Sequence, residues 1–189
     1  MYLIIRQSTV LTLFLALILC GAYPLLVTGF GQVLFPLQAE GSLMVRADKV
    51  VGSRLIGQRF SGPGYFHGRP SAAGEGYDAR ISGGSNLGPT SAALARRMTA
   101  EAARLRAENP GSGVLPVDML TASGSGLDPQ ISPEAAALQI VRVAKVRGMN
   151  RDRVEALVES WIQGPELGIL GSARVNVLEL NLALDEMRP

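Results

Sequence analysis

The chain has 189 residues and a formal net charge of +2, a length that fits one domain of ordinary size plus an anchor. Its basic residues are scattered rather than gathered in a stripe, which argues against nucleic-acid binding. One cysteine, Cys20, and one histidine, His67, exclude an intrachain disulfide framework and a Cys/His metal cluster.

No charged side chain occurs between Arg6 and Glu40. Val10 to Phe30, VLTLFLALILCGAYPLLVTGF, supplies the roughly 20 apolar residues that cross ~30 Å of hydrocarbon. Pro24 lies inside this run and is expected to kink the helix, which membrane helices tolerate. A cleaved signal peptide ending before Tyr23 is a rival reading, but the apolar run continues past the length of a typical signal core. A lipid anchor at Cys20 is another, and Leu19 is too bulky for the residue preceding such a site. The expected division is a short tail over 1–9, a transmembrane helix over 10–30, an apolar linker over 31–39 and a soluble domain over 40–189. Arg6 on one flank and Arg46 and Lys49 on the other do not fix the orientation, because long domains cross largely regardless of charge.

Past the anchor, Leu43–Val45, Val50–Val51 and Leu55–Ile56 read as short strands broken by glycines. Ser61 to Thr90, SGPGYFHGRPSAAGEGYDARISGGSNLGPT, is a long Gly/Pro/Ser segment. Tyr65, Phe66 and Tyr77 give it apolar anchors that a disordered linker would lack. It reads as an ordered loop tethered by its side chains, with Gly83, Gly84 and Gly88 expected at left-handed backbone positions.

Ser91 to Asn109 reads as a helix capped by Thr90 or Ser91, with Leu94, Met98, Ala102 and Leu105 on one face. Val114 to Thr121 reads as a strand, followed by the turn ASGSGLDPQ. Ser132 caps a further helix, with Pro133 at its first position and Gly148 at its end. Asn150 caps the next, whose Val154, Leu157, Val158 and Trp161 form an i, i+3, i+4, i+7 stripe. Gly164-Pro165 ends it. The last segment reads as a short strand at Arg174–Val175 and a helix from Val177, with Asn176 and Glu179 as a capping box.

Chemistry is sparse. His67 is the sole candidate general base, and a loop histidine of this kind is more often structural. Ser125 lies in G-S-G without the G-x-S-x-G elbow. Neither a phosphate-binding G-x-x-x-x-G-K-[ST] loop nor H-E-x-x-H occurs. Asp118 and Asp128 could hold a cation together; the plainer reading has Asp128 accepting from turn amides. Ile81–Ser85 is similar to the signature loop of ABC transporters but stands too far from a helix start to place amides on a phosphate.

Taken in order, AYPLLVTG (Ala22 to Gly29), GSRLIGQRF (Gly52 to Phe60), GYFHGRPSA (Gly64 to Ala72), SGGSNLGPT (Ser82 to Thr90), TASGSGLDPQISP (Thr121 to Pro133), QIVRVAKVRG (Gln139 to Gly148) and VNVLELNLALD (Val175 to Asp185) resemble the C subunit of the Kdp-type high-affinity potassium-transporting P-type ATPase. The departures are Gln130 where many members carry His, Asp78 where Asn follows Tyr, and Ser91-Ala92 in place of Asn-Pro. The elements read above make an α+β chain, a single N-terminal transmembrane helix followed by one mixed α/β domain, and the resemblance implies that this domain is extracytoplasmic. The resemblance also implies a bacterial inner-membrane location, with the N-terminus cytoplasmic and the domain periplasmic. Its implied partners are a channel-like potassium-translocating subunit, a P-type ATPase catalytic subunit and a small single-span subunit.

The resemblance further implies a non-catalytic accessory role, described as a catalytic chaperone that raises nucleotide affinity. No firmly bound cofactor is expected. ATP is the one ligand the family suggests, with Gln139 as the matching residue. A domain outside the membrane cannot touch cytosolic ATP, so an assembly role on the channel-like subunit suits that topology better. Partner contacts are expected at Tyr65, Phe66, Arg69 and Asn86, since aromatic residues and Arg dominate interfaces. The rival readings are a membrane-anchored exported hydrolase using Ser125 or His67, and a binding module with the long loop as its site.

Overall fold

The computed structural model describes residues 1–187, so residues 188 and 189 of the expected soluble domain lie outside the described residues. Two compact units follow one another along the chain, Met1–Val51 and the part beginning at Gly52.

The first unit is dominated by a helix over Tyr2–Leu34, with mean hydropathy 2.5 in its most apolar window and none of that window buried within the chain. It runs as α1 (Tyr2–Ala16), a π-helical turn (Leu17–Ala22) and α2 (Tyr23–Leu34). Pro24 explains the wide turn. It offers no N–H, and its ring would crowd the carbonyl one turn back, so the preceding turn opens. The Tyr23 N–H accordingly reaches the Ile18 carbonyl, five residues back. A single-turn helix α3 (Pro36–Ala39) follows. Strand β1 (Leu43–Arg46) pairs with β2 (Lys49–Ser53). Ala47 and Asp48, both at positive φ, form the tight connection. Leu55–Ile56, expected as a strand, is a turn in which Ser53 Oγ accepts from the Leu55 amide.

The second unit is the α+β domain. Helix α4 (Ala92–Glu108) is capped by Ser91, whose hydroxyl accepts from the Leu94 amide. Its expected stripe faces inward, with Leu94, Met98 and Ala102 half-buried and Leu105 buried. The expected strand over Val114–Thr121 is instead a 3-10 turn, Val117–Met119. Pro116 cannot donate to a sheet ladder, and the turn drives Met119 to 0% exposure. Helix α5 (Pro133–Arg147) starts at Ser132, whose hydroxyl accepts from the Ala135 amide, and ends at Gly148 with φ 63. Helix α6 (Arg151–Ser160) is capped by Asn150. Helix α7 (Val177–Glu186) is capped by Asn176, which accepts from the Glu179 amide. Glu179 does not return the bond, as a capping box would; its carboxylate pairs with Arg54 at 2.6 Å.

Strand β3 (Gln130–Ile131) pairs antiparallel with β4 (Val175–Asn176), Gln130 opposite Asn176 and Ile131 opposite Val175. This strand was not foreseen, and β4 lies one residue beyond its expected position. Helices α5, α6 and α7 pack in sequence around a core that includes Phe66, Leu105, Val143, Val154, Leu180 and Leu184. In the α6 stripe Val154 and Val158 are fully inside, while Leu157 and Trp161 are half-buried at its edge.

Candidate functional site

Residues 61–90 wrap the domain as a strap, and side chains of α5 and α7 hold it. The mechanism follows from an elementary constraint: buried backbone amides and carbonyls need partners. Here side-chain amides take the place of a neighbouring strand. Asn181 Oδ1 accepts from the Phe66 N–H at 2.8 Å, and Asn181 Nδ2 donates to the Phe66 carbonyl at 2.9 Å. One residue on, Gln139 Oε1 accepts from the His67 N–H at 2.8 Å and Gln139 Nε2 donates to the His67 carbonyl at 3.0 Å. Both amide side chains are 1% exposed.

Two arginines extend the grip. Arg142, buried beside Gln139, donates to the carbonyls of Pro63 and Tyr65, to Gln139 Oε1 at 2.7 Å and to Asn109 Oδ1 at 3.3 Å. Burial holds its guanidinium below the usual arginine range, with Arg104 acting the same way against the opposing pull of Glu108. Arg147 donates to the Gly64 carbonyl at 2.7 Å and to Asp185 Oδ1 at 2.7 Å, and its guanidinium lies 4.6 Å from the centre of the Tyr65 ring.

The far half of the strap is fastened to the ASGSGLDPQ turn. Arg69 pairs with Asp128 at 3.0 Å. Ser71 Oγ donates to the Gly126 carbonyl at 2.6 Å and accepts from the Tyr77 amide at 2.7 Å, while the Tyr77 hydroxyl donates to the Arg69 carbonyl. Burial pushes the Tyr77 hydroxyl up to about 12. The glycines expected at left-handed positions, Gly83, Gly84 and Gly88, are not there; Asn86, at φ 49, is. Gly84 has a different reason to be small, since a Cβ there would stand 3.0 Å from the Gly124 carbonyl oxygen.

These placements decide what each candidate residue can do. Phe66, expected at a partner surface, has 0% exposure; an aromatic ring in a loop serves the core before it serves an interface. Tyr65 is half-buried, stacked under Arg147 and 5.7 Å from the Phe60 ring. Arg69 is partly exposed, and its buried Nε has no partner. Asn86 is exposed. Gln139 uses both N–H groups and both lone pairs of its carbonyl inside the domain, the fourth bond going to the Ala135 carbonyl at 3.1 Å. No polar atom of Gln139 is left for a nucleotide.

Asp118 and Asp128 are committed in the same manner. Asp118 accepts from the amide and hydroxyl of Ser132, and Asp128 accepts from the Gln130 amide at 3.0 Å, the plainer of the two sequence readings. Among the described residues no group of three or more His, Cys, Asp or Glu side chains is placed to hold a metal ion. His67 is buried, with Nε2 3.0 Å from the Gly62 carbonyl oxygen and Nδ1 3.4 Å from Glu108 Oε2. Burial lowers its pKa and Arg142 and Arg104 act in the same sense, outweighing the Gly62 hydrogen bond and Glu108.

The sequence reading missed Asn181, Arg142 and Arg147. Asn181 did carry a signal: it interrupts the apolar run VLELNLAL, and a polar side chain on a core face needs a partner.

The same arrangement of blocks recurs in known proteins. Residues 5–186 match the family KdpC, described as K+-transporting ATPase, c chain. The potassium-transporting ATPase KdpC subunit of Nitratidesulfovibrio vulgaris (strain DSM 19637 / Miyazaki F) is 60% identical over 186 residues, covering 97% of this chain and 94% of that one. The KdpC subunit of Methylobacterium nodulans is 55% identical over 195 residues, covering 97% and 96%. That of Rhodopseudomonas palustris (strain TIE-1) is 53% identical over 197 residues, covering 98% of each. A match of this extent, from the apolar helix to α7, makes the chain a member of the KdpC family, a subunit of the K+-transporting ATPase.

Proposed function

We propose that the chain is a non-catalytic assembly subunit of the potassium pump. Its apolar helix packs among the spans of the other subunits in the bacterial inner membrane, and its domain braces the channel-like potassium-translocating subunit from the periplasmic side. The ATPase subunit and a small single-span subunit complete the complex. One observation carries the reading: in a chain of this family, the helix over Tyr2–Leu34 has an apolar window left entirely uncovered by the chain itself. Spans associate through close packing and small residues, and Thr12 and Ala16 stand one turn apart on α1.

A catalytic-chaperone effect on nucleotide affinity is transmitted, in this reading, through the assembled complex. Gln139 is occupied in holding the strap, and a periplasmic domain does not meet cytosolic ATP. Of the four residues expected at a partner, Asn86 and the exposed part of Arg69 are left to touch one, and Tyr65 contributes through the shape it gives the strap.

Two measurements test the proposal. The tagged full-length chain, co-expressed with the other subunits, is expected to retain them through detergent purification. In spheroplasts, added protease is expected to cleave the domain. A domain protected in spheroplasts and cleaved only after lysis refutes the topology, and a chain that purifies alone refutes the assembly role.

A further inference from the structure

Between α6 and β4 the chain makes a small hairpin that the strap and core do not use. It is held at its base by a bridge between Gln163 and Arg174 and nearer its tip by one between Glu166 and Leu170. Arg174 pairs across it with Glu166 at 2.9 Å. The tip carries Leu167, Ile169 and Leu170 at 89%, 82% and 57% exposure.

The turn itself is unusual. Leu167 and Gly168 have φ 53 and 77, and the Ile169 amide donates to the Glu166 carbonyl at 3.2 Å. The Glu166–Leu170 bridge closes a three-residue loop, and positive φ at its first residue is a place where Gly, Asn or Asp is favoured. A leucine there is strained by its own Cβ. Its side chain stands almost wholly in water, so packing within the domain does not repay that strain. Strain kept at an exposed apolar tip points to recognition.

We propose that this hairpin is the domain's docking knob, seated in an uncharged apolar recess on a water-exposed part of another subunit of the same pump; this rests on the assembly role proposed above. The charge pattern selects the occupant. Leu167 to Leu170 carry no ionisable group, and the Glu166 charge beside them is paired with Arg174 across the hairpin, so the recess is apolar and unpaired charge inside it would be rejected. A lipid surface is the poorer fit. Elements that lie on bilayers present free Lys or Arg beside their apolar face, and Arg174, the hairpin's cation, is already paired.

A second copy of the chain is poorer too. Three side chains fall well short of the ~1,200–2,000 Å² that a self-sufficient interface buries. A knob of this size suffices where a second attachment on the same chain, the membrane span, raises the effective concentration. The pre-formed turn lowers the ordering cost of docking.

The test uses the full-length chain co-expressed with the other subunits. Leu167→Asn removes the apolar side chain and suits the left-handed position, so docking and stability should move in opposite directions. Thermal unfolding of the variant chain in detergent is expected to be unchanged or raised, while its recovery with the other subunits falls about tenfold. Ile169→Thr is expected to act in the same sense. Full recovery of the complex with both variants overturns the knob. Failure of the wild-type chain to co-purify removes the assembly role and the knob with it. A photoreactive leucine analogue at position 167 is expected to cross-link to a subunit of the pump identified by mass spectrometry. Cross-linking to lipid, or to a second copy of this chain, overturns the assignment.

Discussion

Gln139 and Asn181, on different helices, close matching two-way hydrogen-bond rings on adjacent residues of one loop, His67 and Phe66. Each side chain behaves as a single peptide unit of an absent strand. The strap is thereby joined to α5 and α7 by backbone chemistry, without a sheet.

Removing either clasp leaves a buried N–H and a buried carbonyl without partners. Each orphaned group costs ~1–3 kcal/mol, so Asn181→Leu should destabilise the domain by about 2–5 kcal/mol. Gln139→Leu should do the same, because it also strips Arg142 of a partner. Chemical denaturation of the chain in detergent measures both. In complexes that still assemble with Gln139→Leu, nucleotide affinity per complex should match wild type. A loss of affinity at full assembly would refute the structural role assigned to this glutamine.

His67 gives the domain a pH dependence of known sign. Its pKa in the fold lies below the ordinary 6.5, so the folded state favours the neutral ring. The stability this contributes is fully present above pH ~6.5 and is lost as pH falls through the folded value. Arg142 and Arg104 face the ring as cations and Glu108 as a carboxylate. His67→Gln keeps a donor towards the Gly62 carbonyl and removes the titration. The variant's melting temperature should fall less than wild type's between pH 7 and 5; parallel curves would show that other groups carry the effect.

Two glycines of neighbouring segments should respond very unequally to a methyl group. A Cβ on Gly126 would stand 2.5 Å from the Gly83 carbonyl oxygen and 2.7 Å from the Ala73 amide nitrogen, at φ 67. Nothing lies within 4 Å of a Cβ on Gly83. Gly126→Ala should therefore cost about 2–4 kcal/mol through steric and backbone strain, and Gly83→Ala should stay within about 0.5 kcal/mol. Comparable losses at both positions would mean the strap is not seated against the turn as described.

Core truncations should grade with burial. Leu180→Ala, at a position with 0% exposure, should cost ~2–5 kcal/mol. Trp161→Ala, at the half-buried edge of the α6 stripe, should cost less, about 1–3 kcal/mol. The reverse order in urea denaturation would place the tryptophan at the centre of the packing.

What could be read in the sequence was local. Ser132, Pro133 and Gly148 fix α5 through capping chemistry within a few residues, and α4 and α6 followed from caps and apolar spacing. The errors arose where distant partners decide. Val114–Thr121 has the composition of a strand, yet Pro116 and the burial of Met119 make a 3-10 turn. β3 exists because Gln130 finds Asn176, far along the chain. The strap could be recognised as ordered from Tyr65, Phe66 and Tyr77, but not its fastening, which joins residues 72 and 115 positions apart. The hairpin tip was invisible for a related reason. GPELGILG reads as a helix stop, and only the folded turn reveals that its leucines face water.

The π turn before Pro24 bears on any mutational scan of the span. It accommodates one more residue than an α-helical turn, so everything beyond it is rotated by about 100° against a regular helix. Positions spaced by four along α1 and those spaced by four along α2 consequently do not form one continuous stripe. A tryptophan or cysteine scan should yield sensitive positions in two periodic sets, each regular in itself, with a phase slip between Leu17 and Ala22. Fitting the whole span to a single sinusoid would average the two sets away and make a specific packing face look like random tolerance.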